Sequence, residues 1–156
     1  MKHVFLALSF AHVIDADSGN VIPAFRTKTE EILHGLRSEA KVKVFCDMEE
    51  EQWHMPAGLP ERGTIKDINT LNEADVLLAL VADHPSVGVE FEIGYMVAKG
   101  KPVVLAMHVD GRLAGFNQGL VSAGLVTLLT YDSASSLAKQ LAIAVNAPRE
   151  VLTAAR

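Results

Sequence analysis

Five short apolar runs punctuate the chain: His3 to Phe10, Val42 to Cys46, Ala74 to Ala82, Lys101 to Met107 and Leu125 to Tyr131. Each is bounded by polar residues, and a stretch such as Val76-Leu77-Leu78-Ala79-Leu80-Val81 is apolar throughout rather than alternating. A strand with one wet face alternates, whereas a continuous run fits a strand covered on both sides. Between the runs lie Ala24 to Arg37, Pro60 to Asn72, Val87 to Lys99 and Ser133 to Val145, in which apolar residues recur with helical period, the last entered through a Ser-rich cap. This alternation predicts a doubly wound α/β domain, flavodoxin-like or Rossmann-like, with a five-stranded parallel sheet and helices on both faces. At 156 residues the chain has room for one such domain, spanning 1–156, and too little for two of ordinary size.

Charge narrows the ligand. The formal net charge is -5, from 19 acidic and 14 basic side chains with no dense Lys/Arg run, so the chain carries no footprint for a nucleic acid polymer. Any nucleotide ligand should be a small molecule. Cys46 is the only cysteine, which excludes a disulfide within the chain and points to an intracellular, cytoplasmic setting. Met1 to Phe10 reads as a buried first strand rather than a signal segment, and no run reaches the roughly 18 apolar residues of a membrane span. The six histidines form no HxH or HExxH pattern, so no metal is expected, and neither GxGxxG nor a Walker lysine loop is present to suggest a cofactor. The segment Ala11 to Pro23, with Asp15, Asp17, Ser18 and Gly19, reads as a long polar loop able to overhang a site.

In doubly wound sheets ligands bind beyond the carboxyl ends of the strands, which directs attention to Ser9-Phe10, Asp47 and the stretch Asp83 to Gly88. There a buried strand ends and a helix begins. Ser86 stands where an N-cap would, and Gly88 leaves the first turn open to a phosphate or sugar oxygen. On the helical wheel Val89, Ile93, Met96 and Val97 form the core stripe, while Gly88, Glu92 and Tyr95 lie together on one flank. Glu92 therefore borders the core, where a carboxylate can reach an anomeric carbon. Glycosidic cleavage needs two carboxyl groups with different tasks, and the second candidates are Asp67 on the preceding helix and Asp83 at the strand end. Asp75 starts its strand at the wrong end. Taken singly, Asp67 and Asp83 fit a helix-surface and a loop-capping residue better, Glu92 a solvated helix flank, and Ser86 an ordinary N-cap equally well.

The segment Ser86-Val87-Gly88-Val89-Glu90-Phe91-Glu92-Ile93-Gly94-Tyr95, followed by Gly100-Lys101-Pro102, resembles the S-x-G-x-x-x-E-[IL]-G segment and G-K-P turn of the nucleoside 2-deoxyribosyltransferase superfamily. Within that superfamily it looks closest to nucleotide N-glycosidases such as the cytidylate hydrolases and the 2'-deoxynucleoside 5'-monophosphate N-hydrolases. The resemblance implies Glu92 as nucleophile and Asp67 as the acidic residue of proton handling and sugar contact. It places Ser86 at a 5'-phosphate contact, Ser9 near a second one, Phe5 where several members carry tyrosine, and Trp53 at a tryptophan of the cytidylate hydrolases. For Phe5 and Trp53 core packing is the reading the residues alone favour. Asn117, in a glycine-bounded stretch that also suits a turn, lies near where relatives receive a polar residue from a neighbouring subunit. The resemblance thereby implies a homodimer or higher homo-oligomer with a shared active site.

The candidate substrate contacts are then Phe5, Ser9, Phe10, Trp53, Asp83, Ser86, Gly88 and Asn117. The departures are basic positions of the family occupied here by Ala11, Glu49 and Glu50, which thins the positive field for a phosphate. Arg26, Lys28 or Arg62 would have to compensate, and the sequence places none of them. The expected activity is N-glycosidic cleavage of a nucleoside or its 5'-monophosphate through a covalent intermediate on Glu92. The alternatives are deoxyribosyl transfer between bases and a nucleotide-sensing module without turnover.

Overall fold

The computed structural model describes residues 1–10, 12–54, 60–81 and 86–146, with the side chains of 60–62 outside that set. Five strands, β1 (His3–Leu8), β2 (Lys43–Phe45), β3 (Val76–Val81), β4 (Val103–His108) and β5 (Thr127–Tyr131), form one parallel sheet in the order β2-β1-β3-β4-β5. This is the flavodoxin-like order, whose switch point lies between β1 and β3. The helices are α1 (Pro23–Gly35), α2 (Asp47–Glu50), α3 (Pro60–Glu73), α4 (Val87–Ala98), α5 (Gly115–Ser122) and α6 (Ala134–Asn146), with a π-helical turn, Leu36–Ala40, continuing α1. Pro23 opens α1 at a position where a missing N–H costs nothing. Ser133 caps α6, its hydroxyl accepting the Ser136 N–H at 3.3 Å.

Strand periodicity divides the core. Val4, Leu6, Leu8, Val76, Leu78, Val104 and Ala106 face the α1/α6 layer, where Ile32, Leu33, Leu36, Leu137 and Leu141 meet them. Phe5, Ala7, Leu77, Ala79, Val103 and Leu105 face Leu71 of α3, Val89, Ile93 and Met96 of α4 and Leu120 of α5. Leu77, Leu78 and Ala79 are all fully buried, as expected of a central strand covered on both sides. The α1/α6 contact is tight: a Cβ added at Gly35 would lie 2.6 Å from the Ala138 Cβ.

Two expectations are corrected. The stretch around Asn117 is the helix α5 rather than a turn. Residues 12–22 are no loose polar loop: Val13 and Ile14 pack against the core, Val21 is buried, Ile14 and Val21 form an antiparallel bridge, and Asn20 bridges to His54. Asp15 closes the tip by accepting the Ser18 N–H and hydroxyl at 2.8 and 2.7 Å. Ala11 lies outside the described residues.

Candidate active site

Glu92 and Asp67 project from neighbouring helices on the same side of the sheet. The flank position of Glu92 leaves it half-buried beside the core residues Val89, Ile93 and Met96. Burial pushes its carboxyl up from the ordinary 4.5 to about 8, and the charges of Asp67 and Asp47 push in the same direction. Asp67 rises from 3.8 to about 6, chiefly through burial and then through Asp47, against a lowering by Lys66. Its Oδ1 is buried without a hydrogen-bond partner among the described residues. Two carboxyl groups in one electrostatic environment thus hold a single proton between roughly pH 6 and 8.

Two contacts fix the helix pair. The Tyr95 hydroxyl on α4 donates to Asn72 Oδ1 on α3 at 2.7 Å. Lys101, of the Gly100-Lys101-Pro102 turn, donates through Nζ to the carbonyls of Leu71, Asn72 and Ala74 at 3.1, 2.7 and 2.7 Å. Those carbonyls end α3, where a cation also meets the negative pole of the helix. Gly100 turns the chain with φ 64°.

A third carboxylate, Asp47, acts on both Glu92 and Asp67. Asp47, at the carboxyl end of β2, is half-buried and desolvated upward, while Lys66 draws it down through a 3.2 Å hydrogen bond. Lys66 also donates to Glu51 Oε1 at 3.1 Å and lies 5.3 Å from the Phe45 ring centroid. Asp47 had been marked only by its strand-end position, and a Lys one residue before Asp67 gave the remaining signal.

The other expected contacts disperse. Ser86 occupies the N-cap of α4 with its carbonyl accepting the Glu90 N–H, and makes no side-chain cap bond. Among the described residues, a Cβ at Gly88 would meet only the Ser86 Oγ, at 3.9 Å. Asp83 lies outside the described residues. Phe5 is buried beneath α3 and α4, its ring tilted 38° against that of Phe45 with centroids 5.0 Å apart, whereas Trp53 is buried on the opposite side of the sheet with the Arg26 guanidinium 5.3 Å from its ring. Both show the packing that the residues alone suggested. Trp53 holds φ at 62°, its N–H donating to the Met48 carbonyl and its carbonyl accepting from Val21. Phe10 packs against the α1/α6 core, and Ser9 lines a cavity at the strand ends. Asn117 is 1% exposed and donates to Glu90 Oε1 of its own chain at 2.8 Å.

Of the two acids at the expected basic positions, Glu49 is structurally engaged. Glu49 pairs with Arg37, which holds its carboxylate below the usual range. Arg26 pairs with Glu30 at 2.8 Å, and the Arg62 side chain lies outside the described residues. Among the described residues no cluster of three or more His, Cys, Asp or Glu side chains is arranged to hold a metal, and no helix is long and apolar enough to cross a membrane. Cys46 is buried and its thiol is pushed up to about 11 by that burial, the state of a packing residue rather than a nucleophile.

The flavodoxin-like sheet, with carboxyl groups on α3 and α4, is that of a known family. The model of the nucleoside 2-deoxyribosyltransferase family matches residues 23–136, and the chain belongs to that family. Two curated proteins named "Putative 2'-deoxynucleoside 5'-phosphate N-hydrolase 1" are similar in sequence. That of Thermofilum pendens is 56% identical over 39 residues, 25% of this chain and 27% of that protein. That of Syntrophotalea carbinolica is 35% identical over 72 residues, 46% of this chain and 49% of that protein. The chain thus matches less than half the length of either curated relative. The CMP N-glycosidase of Clostridium botulinum shares the fold with a TM-score of 0.69 at 21% identity, over 92% of this chain and 99% of that one.

Proposed function

We propose that the chain is an N-glycosidase acting on a nucleoside or nucleoside 5'-monophosphate, with Glu92 as nucleophile and Asp67 as the proton-handling partner. The observation that carries this reading is the coupled pair itself: two carboxyl groups from α3 and α4, both raised, one carrying an unpartnered buried oxygen. Family membership and the names of the two curated relatives support the same chemistry.

Between the two values the shared proton rests mainly on Glu92, and the productive arrangement is the minor tautomer in which it has moved to Asp67 and Glu92 is ionised. The Glu92 carboxylate attacks C1', forming an ester bond, while the C1'–N electron pair departs with the base, which takes the proton from Asp67. Water then attacks C1', giving its proton to the Asp67 carboxylate as the ester breaks and Glu92 regains its charge. A second base in place of water completes a transfer instead. We favour hydrolysis because both curated relatives bear hydrolase names. We further propose a homodimer, supported by the exposed Val87 and Phe91 on α4 and Phe116 on α5, with the sedimentation coefficient as its check.

Incubating the protein with nucleosides and their 5'-monophosphates, with and without an acceptor base, tests the activity. Free base produced by the wild type and absent from Glu92→Ala supports hydrolysis, and exchanged nucleoside would indicate transfer. Saturable binding without turnover would overturn the enzymatic reading in favour of a nucleotide sensor.

A further inference from the structure

We propose that Asp47, locked by Lys66, is a positioning residue of the glycosidic pair: a fixed negative charge beyond β2 that keeps one proton on Glu92 and Asp67. This rests on the reading of those two groups as the glycosidic centre. Asp47 is the first residue of α2, just past the end of β2, and Lys66 stands one residue before Asp67 on α3. The Lys66 Nζ lies between two carboxylates, donating to Asp47 Oδ1 at 3.2 Å and to Glu51 Oε1 at 3.1 Å. The Asp47 side chain is only 16% exposed. Beneath it the Phe45 ring, 5.3 Å from the ammonium group, packs on Phe5 in the layer under α3 and α4. In such a partly desolvated setting a charge acts over a longer distance than it does in water.

The two partners have different tasks. Lys66 keeps Asp47 ionised: burial pushes the Asp47 carboxyl up, Lys66 pulls it down through its hydrogen bond and its charge, and Glu51 and Glu50 push it up more weakly. Without the ammonium group Asp47 would compete with the pair for its proton. Burial works against the Lys66 charge as well, and the bonds to Glu51 and Asp47 outweigh it, so the lysine stays protonated. Asp47 then acts on the pair, its charge favouring the protonated form of Asp67 and of Glu92 alike. The described charges around it are Glu50 of α2 and Glu51 at its end, Lys66 and Asp67 of α3 and Glu92 of α4, while Glu49 is turned to Arg37. A departing base needs a proton near neutrality, where an ordinary carboxyl has already lost it. A third carboxylate held ionised beside the pair meets that need.

Asp47→Asn removes the charge while keeping the shape and an oxygen for Lys66. Both limbs of the pH–rate bell should move down by roughly 0.5 to 1 pH unit, as expected for loss of one charge from a partly desolvated site. Lys66→Arg should leave them in place. A mere strut between α2 and α3 would lower rate or stability at every pH with the limbs unmoved, and that result overturns the proposal. Carbon-detected NMR titration of the side-chain carboxyls carries the test without turnover. The Asp67 and Glu92 midpoints should fall in Asp47→Asn, and the Asp47 midpoint should rise in Lys66→Met. Unchanged midpoints in the folded variants overturn the role of Asp47 and leave the glycosidase reading intact. If the wild type releases no base from any substrate, the glycosidase reading fails, and the midpoints still decide whether Asp47 holds the proton on the pair.

Discussion

The two faces of the sheet solve different problems. Against α1 and α6 the sheet is sealed by aliphatic packing, so close at Gly35 and Ala138 that a methyl group does not fit. Against α3 and α4 the same strands bury an equally apolar layer, yet at its upper edge three carboxyl groups sit in partly desolvated positions that raise their proton affinity. The first face maximises burial. The second holds groups that burial disfavours, and Tyr95 and Lys101 pin the helices that carry Glu92 and Asp67.

The sharpest way to break this contrast is to remove the carboxylate itself. Glu92→Ala should lower the glycosidase rate by at least about 10³-fold, because the covalent step is lost, while the far-UV spectrum and melting temperature stay close to wild type or rise. A fall in stability matching the fall in rate would place Glu92 with the structural residues instead.

Stability against pH separates the faces next. The folded Glu92 value of about 8 exceeds the ordinary 4.5, so the native state binds this proton more tightly than the unfolded chain does. Its contribution is fully present below about pH 4.5 and is lost as pH rises through 8. Glu92→Gln should therefore be more stable than wild type above pH 8, by on the order of 2 to 4 kcal/mol at about 1.4 kcal/mol per pH unit, with the gain shrinking towards pH 5. Denaturant midpoints across that range measure it, and a gain independent of pH would contradict the assignment. The rate should follow a bell with limbs near 6 and 8, the window in which the pair holds one proton.

On the sealed face, Gly35→Ala should cost about 1–3 kcal/mol through overpacking, and Ala138→Gly in the same chain should recover part of it. Neither change should move the pH–rate limbs. The smallest expected effect lies at Gln52, whose φ of 55° is left-handed: Gln52→Gly should stabilise by up to about 1 kcal/mol.

Much of this was legible in the chain. Continuous apolar runs identify strands because a strand covered on both sides has no polar positions to offer, and the register of the α4 flank placed Glu92 correctly. Helix α5 escaped because Gly115 and Gly119 read as turn residues, and α2 because a four-residue helix has no period to detect. The side-chain pairings around the strand ends were hidden for another reason. Lys28 and Tyr131 are 103 residues apart, and Lys66 reaches Asp47 and Glu51 across 19 and 15. Such pairings are set by helix packing over the sheet, which spacing along the chain does not encode. Trp53 and Phe5, which resemblance marks as substrate contacts, pack on opposite faces of the sheet, as their apolar character alone suggests.

Central to the proposed function is a bond from Glu92 to the sugar, formed beside Asp67. Acid-quenching the wild-type protein during turnover of a nucleoside 5'-monophosphate, followed by peptide mass analysis, tests it directly. The account predicts a glycosyl adduct on the peptide containing Glu92 and none in Glu92→Ala. An adduct on another residue, or undiminished release of base by Glu92→Ala, would contradict it.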